Sequence, residues 1–330
     1  MKVLWGMLVR SFSFWSIAAN RDDEYQYGTW RDDAQAVEGG GGSRPSSIQS
    51  TVLTPDKPKQ PAQGAGSKPK EPSNDDDFFA SDALQNASPK PAFSDNVAVI
   101  METDPSNVPN LIPLMLHFES ILGPKWPVVL LTLEANWKVP SSPSFRRLMD
   151  AGRIRIMYLE ANTTFPNHNS VSVFLTSPWF WEQFESAHRM LMFQTDSILC
   201  SNSDLSVDDF LEFDLLGAPI AAQFGHGYNG GLSLRNPKLM LQVARAAHSS
   251  FGSEGGGNEV GFEDQWFYGK LKALPEANLP SEDVAKTFAV ETIYYEKPLG
   301  YHQPERWQHD HMEQIKEWCP EVGMLMGRRF

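Results

Sequence analysis

From about residue 95 onward, apolar positions alternate between two periods. Residues 96–101, NVAVIM, form a short unbroken apolar run, as expected of a strand buried on both faces. Residues 110–122 then carry apolar side chains at helical spacing and stop at Gly123-Pro124. PVVLLTL (127–133) predicts a second buried strand, residues 144–151 a short helix closed by Gly152, and RIRIMYL (153–159) a third strand. A helix around 171–186 leads into a further apolar strand. That strand delivers FQTDSILC (193–200), where an acid interrupts the apolar run before Ile198 and Leu199 resume it. Beyond residue 205, short runs at 213–220 and 230–236 mix with helices near 237–247, 263–273 and 281–288. Strands alternating with helices predict an α/β fold: right-handed βαβ units and a mainly parallel central sheet covered by helices.

Residues 20–92 lack any such period. GGGGSRPSS and TPDKPKQPAQGAGSKPKEP are rich in Gly, Pro, Ser and charge, and predict a disordered linker. The Asp75–Asp77 run within it reads as a solvated charge run. Residues 1–19 are apolar and lightly basic, and read either as a targeting segment or as a disordered start. Arg10 splits them before the roughly 18–20 apolar residues of a membrane span accumulate. Two sequons, Asn86-Ala87-Ser88 and Asn162-Thr163-Thr164, lean towards the secretory pathway or Golgi, with membrane attachment through the N-terminus; the cytoplasm is the alternative. The expected division is thus 1–19, 20–92 and a folded domain over 93–330.

Composition narrows the function classes. With 330 residues, 41% hydrophobic, the chain can bury one large core or two modest ones. A net charge of −13, its acid excess lying mainly beyond residue 92, argues against a nucleic-acid partner held by phosphate neutralisation. Phosphate handling would need a metal ion, a helix N-terminus or a local basic cluster. The 2 cysteines, Cys200 and Cys319, exclude a disulfide framework and disfavour a cysteine zinc site. A single bridge between them stays open.

Four stretches carry candidate chemistry. Asp196 sits where a parallel strand ends, the edge at which such sheets bind ligands. One carboxylate there can hold Mg²⁺ or Mn²⁺ on a diphosphate, and can equally cap the following turn. In GYNGGLSLRN (227–236), Asn229-Gly230-Gly231 permits positive φ and close approach to a ligand, or a hairpin turn. In GFEDQWFYGKL (261–271), Glu263 and Asp264 open a helix whose dipole favours their ionised forms. Such a carboxylate can accept a proton from a hydroxyl, or simply stabilise the first turn. In ETIYYEKPLGYHQPERW (291–307), His302 can complete a metal shell and Arg306 can contact phosphate, although a loop histidine is commonly inert.

Taken in order, LGPKWPVVLLT, FLTSPWFWEQF, FQTDSILC, GYNGGLSLRN, FEDQWFY, FAVETIY and LGYHQPERW resemble an uncharacterised, mainly fungal family. That family is known as a domain of unknown function and is grouped with glycosyltransferase-like proteins; the resemblance covers roughly residues 95–325. It implies a GT-A fold, a Rossmann-like sheet that takes a nucleoside-diphosphate sugar, and transfer of the sugar to a hydroxyl acceptor. It implies that Asp196 and His302 hold Mn²⁺ or Mg²⁺ and that Asp264, or Glu263, acts as base. Asn229, Gly230 and Gly231 would shape the acceptor side. Glu102 and Thr103, in the turn after the first strand, would approach the base and ribose. One departure concerns the Asp-x-Asp metal motif, which here reads Gln194-Thr195-Asp196. The Gln194 amide can hydrogen-bond a ribose or a phosphate-bound water but supplies no charge to a cation. A catalytically silent nucleotide-sugar-binding module is the first alternative. A metal-dependent phosphoesterase using Asp196, Glu263, Asp264 and His302 is the second.

Overall fold

The computed structural model describes residues 92–251 and 261–326. The expectations for residues 1–91, including the targeting segment, linker and membrane attachment, lie outside the described residues. Among the described residues nine strands are found: β1 (Val97–Met101), β2 (Val128–Thr132), β3 (Ile154–Tyr158), β4 (Met190–Phe193), β5 (Ser197–Leu199), β6 (Leu215–Pro219), β7 (Tyr228–Arg235), β8 (Ala289–Val290) and β9 (Gly300–His302). The α-helices are α1 (Leu111–Leu122), α2 (Pro143–Asp150), α3 (His168–Leu175), α4 (Pro178–Glu182), α5 (Pro237–Ala247), α6 (Glu263–Lys272), α7 (Glu282–Phe288), α8 (Pro304–Trp307) and α9 (Met312–Trp318). None of the described helices is long and apolar enough to cross a membrane.

Six strands form one sheet in the order β3-β2-β1-β4-β7-β6. β1 pairs in parallel with β2 and β4, and β2 with β3. Every residue of β1 and β2 is buried, which explains their unbroken apolar runs: a parallel sheet has both faces covered. α1 buries Leu111, Leu114, Met115 and Phe118 against this sheet region and stops at Gly123, whose φ of 74° terminates the helix. Phe118 stacks on Phe193 with ring centroids 3.8 Å apart, tying α1 to the end of β4. The parallel strands run outward from β1 to β3, and the chain then returns to lay β4 on the other side of β1. The carboxyl ends of β1 and β4 therefore flank a topological switch point, the place where open α/β sheets bind ligands.

A second, three-stranded sheet has the order β5-β9-β8. β5 and β9 are antiparallel, with Ser197 opposite His302; β8 and β9 are parallel, with Val290 opposite Tyr301. A disulfide joins Cys200, the residue after β5, to Cys319, the residue after α9, with Cα atoms 4.8 Å apart. The bridge closes a loop over a sequence separation of 119, worth roughly 4–5 kcal/mol on chain-entropy grounds.

Three expectations need correction. The helix expected over 171–186 is two helices, α3 and α4. Pro178 cannot continue α3, and it holds Ser177 in an extended conformation. The apolar stretch around Asp196 is two strands in different sheets, divided by the Gln194-Thr195-Asp196 turn. The Asn229-Gly230-Gly231 segment lies inside β7 rather than in a turn before it. β7 runs antiparallel to both β4 and β6, and its preceding turn uses Gly225 and Gly227, at φ 131° and 91°.

Candidate functional site

The two sheets bring distant acids and a histidine to the carboxyl end of β4. Gln194 follows β4, and Asp196 immediately precedes β5. Because β5 pairs antiparallel with β9, the start of β5 lies beside the end of β9, and Asp196 meets His302 across 106 positions of sequence. Because β8 runs parallel to β9, Glu291, the residue after β8, arrives at the same place. Three short strands thus deliver three ionisable groups to one point.

His302 is buried and contacted at both ring nitrogens. Nδ1 lies 3.0 Å from Glu291 Oε1; Nε2 lies 3.0 Å from Gln194 Oε1 and 3.4 Å from Asp196 Oδ1. Acceptor oxygens thus face both ring nitrogens, an arrangement that favours the protonated ring. Burial alone would lower its pKa, but Asp196 and then Glu291 outweigh burial and push it up to about 10. Gly231 lies against this ring: a Cβ there would come within 2.2 Å of Nε2, so glycine is required by close approach rather than by an unusual φ. Gly231 also anchors the turn through its carbonyl, which accepts from the Gln194 N–H (2.8 Å) and the Ser197 hydroxyl (2.6 Å).

Gln303 completes the surroundings of Asp196. Its backbone N–H donates to the Asp196 carbonyl at 3.0 Å, and its side-chain Nε2 donates to Asp196 Oδ2 at 2.9 Å. Gln303 is the one non-glycine residue with positive φ (47°) among the described residues, a conformation that costs about 1–2 kcal/mol. Arg306 is exposed; its Nη1 donates to Gln303 Oε1 at 3.3 Å and its guanidinium lies 4.7 Å from the centroid of the Trp307 ring.

Glu263 and Asp264 occupy one helix turn but have different surroundings. Glu263 makes a two-pronged ion pair with the fully buried Arg235, at 3.0 and 3.1 Å. Asp264 has no such partner. Its Oδ2 accepts from the Gly230 N–H (2.8 Å) and its Oδ1 from the Gln265 N–H (2.7 Å). Burial first, and then the Glu263 carboxylate, raise its pKa to about 7, against the opposing pull of those N–H groups and Arg235. Gly230 is held on Asp264 and Gly231 on His302, so adjacent residues of β7 link the two groups.

The remaining candidates are placed as follows. Asn229 uses its Oδ1 on the Gly231 N–H at 2.7 Å. Thr195 is buried within the turn. Glu102 is buried at the carboxyl end of β1, where its Oε1 accepts from the Asp104 N–H at 2.9 Å. The Thr103 carbonyl accepts from Asn136 Nδ2 at 2.7 Å. Glu291, Gln303 and Arg235 escaped notice in the sequence. Glu291 carried the clearest signal, since FAVE repeats the pattern of MLMFQTD, a short apolar strand ending in polar residues. A cleft of about 300 Å³ lies elsewhere, lined by residues including Ile121, Trp126, Cys200 and Leu205, and contains none of these candidates.

The donor set suits a small cation in part. Nε2 stands 3.0 and 3.4 Å from two oxygens, close to the spacing of neighbouring ligands around an ion with bonds of about 2.1 Å. Glu291 on Nδ1 is the kind of outer contact that orients a metal-bound histidine. Two features oppose it: Gln194 brings no charge, and a cation and the Nε2 proton compete for one lone pair. Among the described residues no group of three or more His, Cys, Asp or Glu side chains is arranged to hold a metal.

Residues 153–302 match a family model. Its description is "Protein of unknown function (DUF5672)", and the match spans the chain from the start of β3 through His302. No curated protein matches the chain. Among solved structures, the chain is similar to one described as the apo-form glycosyltransferase GlyE in Streptococcus pneumoniae TIGR4. The identity is 13%, the TM-score is 0.42, and the alignment covers 70% of this chain and 64% of that one. A likeness at that level carries no argument about chemistry, and the family description states none.

Proposed function

We propose that this domain is a glycosyltransferase of GT-A type, moving a sugar from a nucleoside-diphosphate donor to a hydroxyl acceptor. The observation that carries the reading is the convergence of Gln194, Asp196 and His302 at the carboxyl end of β4, with Asp264 one β7 residue away. The donor lies across the carboxyl ends of β1 and β4, with its nucleoside towards Glu102 and Thr103 and its diphosphate towards Asp196 and Arg306. Asp196 and His302 hold Mn²⁺ or Mg²⁺, with Glu291 orienting the imidazole. When bound, the cation offsets the negative charge that gathers on the departing diphosphate.

Asp264 is the preferred base over Glu263. Glu263 is committed to Arg235, whereas the Asp264 carboxyl titrates near neutral pH, where a general base works best. Asp264 takes the proton of the acceptor hydroxyl as its oxygen bonds to the anomeric carbon, and the bond from that carbon to the diphosphate oxygen breaks. Asn229, Gly230 and Gly231 shape the acceptor side.

One observation favours a second reading, a nucleotide-sugar-binding module without turnover: Gln194 occupies Nε2 as a neutral acceptor where an acid would draw a cation. The purified chain, supplied with Mn²⁺ or Mg²⁺ and a panel of nucleotide-sugars, distinguishes the two. Transfer or slow donor hydrolysis supports the enzyme, saturable binding without product supports the module, and absence of both overturns the nucleotide-sugar reading. Asp196→Ala should abolish binding, whereas Asp264→Ala should spare binding and remove turnover.

A further inference from the structure

Gln303 is an expensive choice of residue for its place. Its backbone is left-handed, a conformation that glycine adopts freely and asparagine tolerates better than glutamine. It also precedes Pro304, which disfavours compact backbone conformations in the residue before it. The side chain makes no capping bond to the backbone of α8, the helix it precedes. Among the described residues, its side chain bonds Asp196 on one side and the exposed Arg306 of α8 on the other. Nε2 donates to Asp196 Oδ2, and Oε1 accepts from Arg306 Nη1. The second bond determines the first: with its oxygen on the guanidinium, the amide must present its N–H₂ to Asp196. The backbone N–H meanwhile holds the Asp196 carbonyl. The carboxylate is thereby gripped on one oxygen, and Oδ1 is turned towards His302 Nε2.

We propose that Gln303 is a positioning residue for Asp196, fixing the rotation of its carboxylate so that one oxygen shares a ligand position with His302. Strain kept at one residue beside a site is accounted for by what its side chain does there. The role in cation binding rests on the proposed function; the grip on Asp196 itself does not.

The test uses the full chain with Gln303→Gly and Gln303→Asn, both of which suit the left-handed backbone and neither of which reaches Asp196. If the side chain serves only the fold, both variants lose thermal stability and keep wild-type Mn²⁺ affinity, measured in the presence of UDP by the spin-resonance signal of free Mn²⁺. If it positions Asp196, thermal stability is held or raised, while Mn²⁺ affinity falls on the order of tenfold or more. A readout without any cation separates this claim from the proposed function: the nitrogen-coupled NMR signals of the His302 imidazole. Those signals move in both variants if Asp196 has been released, and unchanged signals overturn the positioning role. If the wild-type protein takes up no Mn²⁺ while the imidazole signals still move, the cation reading falls and the positioning role stands.

Discussion

The large sheet and the small sheet are both built from buried strands, yet they do different work. β1 and β2 bury every residue, and their neighbours in sequence are their neighbours in space. β5, β8 and β9 are two or three residues long, and each abuts a group that can carry charge: Asp196 before β5, Glu291 after β8 and His302 at the end of β9. Both sheets are buried, and they differ in what lies at the strand ends. Around the small one gather polar contacts, a disulfide and one strained backbone position. Damage to apolar packing or to the disulfide should therefore appear as lost stability, and damage to the polar groups at the ends of the small strands as lost binding or turnover.

The largest effect expected is on chemistry. Asp264→Asn should lower turnover by roughly 10²–10⁴-fold while leaving nucleotide binding unchanged, measured by initial rates beside calorimetric titration. Next, reduction of the Cys200–Cys319 bridge should cost about 4–5 kcal/mol in denaturant unfolding, because that bridge ties the C-terminal segment back to β5. Phe118→Ala, which removes the ring stacked on Phe193, should cost about 3–5 kcal/mol by the same measurement. It should leave donor affinity of the folded fraction intact, and selective loss of affinity would break the division between the sheets.

The last effect expected is a slope rather than a fixed loss. The Asp264 carboxyl has a pKa near 7 in the folded protein against an ordinary value of 3.8. Between those values the folded state keeps a proton that the unfolded chain has released. The resulting stability is full below about pH 4 and is lost as pH rises through 7. Thermal melts of the wild type should show that decline, and Asp264→Asn should flatten it. An unchanged slope would contradict the raised pKa of Asp264.

The same contrast explains what could be read from the chain. The parallel half was legible because a strand buried on both faces leaves an unbroken apolar run, and glycines such as Gly123 and Gly152 mark where helices stop. Asp196 stood out as an acid interrupting an apolar run, Asp264 with Glu263 as an acid opening a helix, and His302 as a histidine near a glycine and a proline. Their juxtaposition did not, because it depends on β5 pairing with β9 about a hundred residues away, through strands too short to show a period. Glu263 and Asp264 were indistinguishable in sequence; only the fold brings Arg235 to one of them. Gln303 gave no sign at all, since its importance lies in a backbone angle and two side-chain bonds. Gly230 and Gly231 were read as permitting positive φ and approach to a ligand; in the structure they lie within a strand without positive φ, and the groups that crowd them are the chain's own Asp264 and His302.

The most direct measurement is a crystal structure of the protein with Mn²⁺ and UDP. The expected result is one cation bonded to Asp196 and to His302 Nε2, with the diphosphate at the carboxyl ends of β1 and β4. A diphosphate bound elsewhere, or bound while His302 keeps its contacts to Gln194 and Asp196 with no cation between them, would contradict the proposed site.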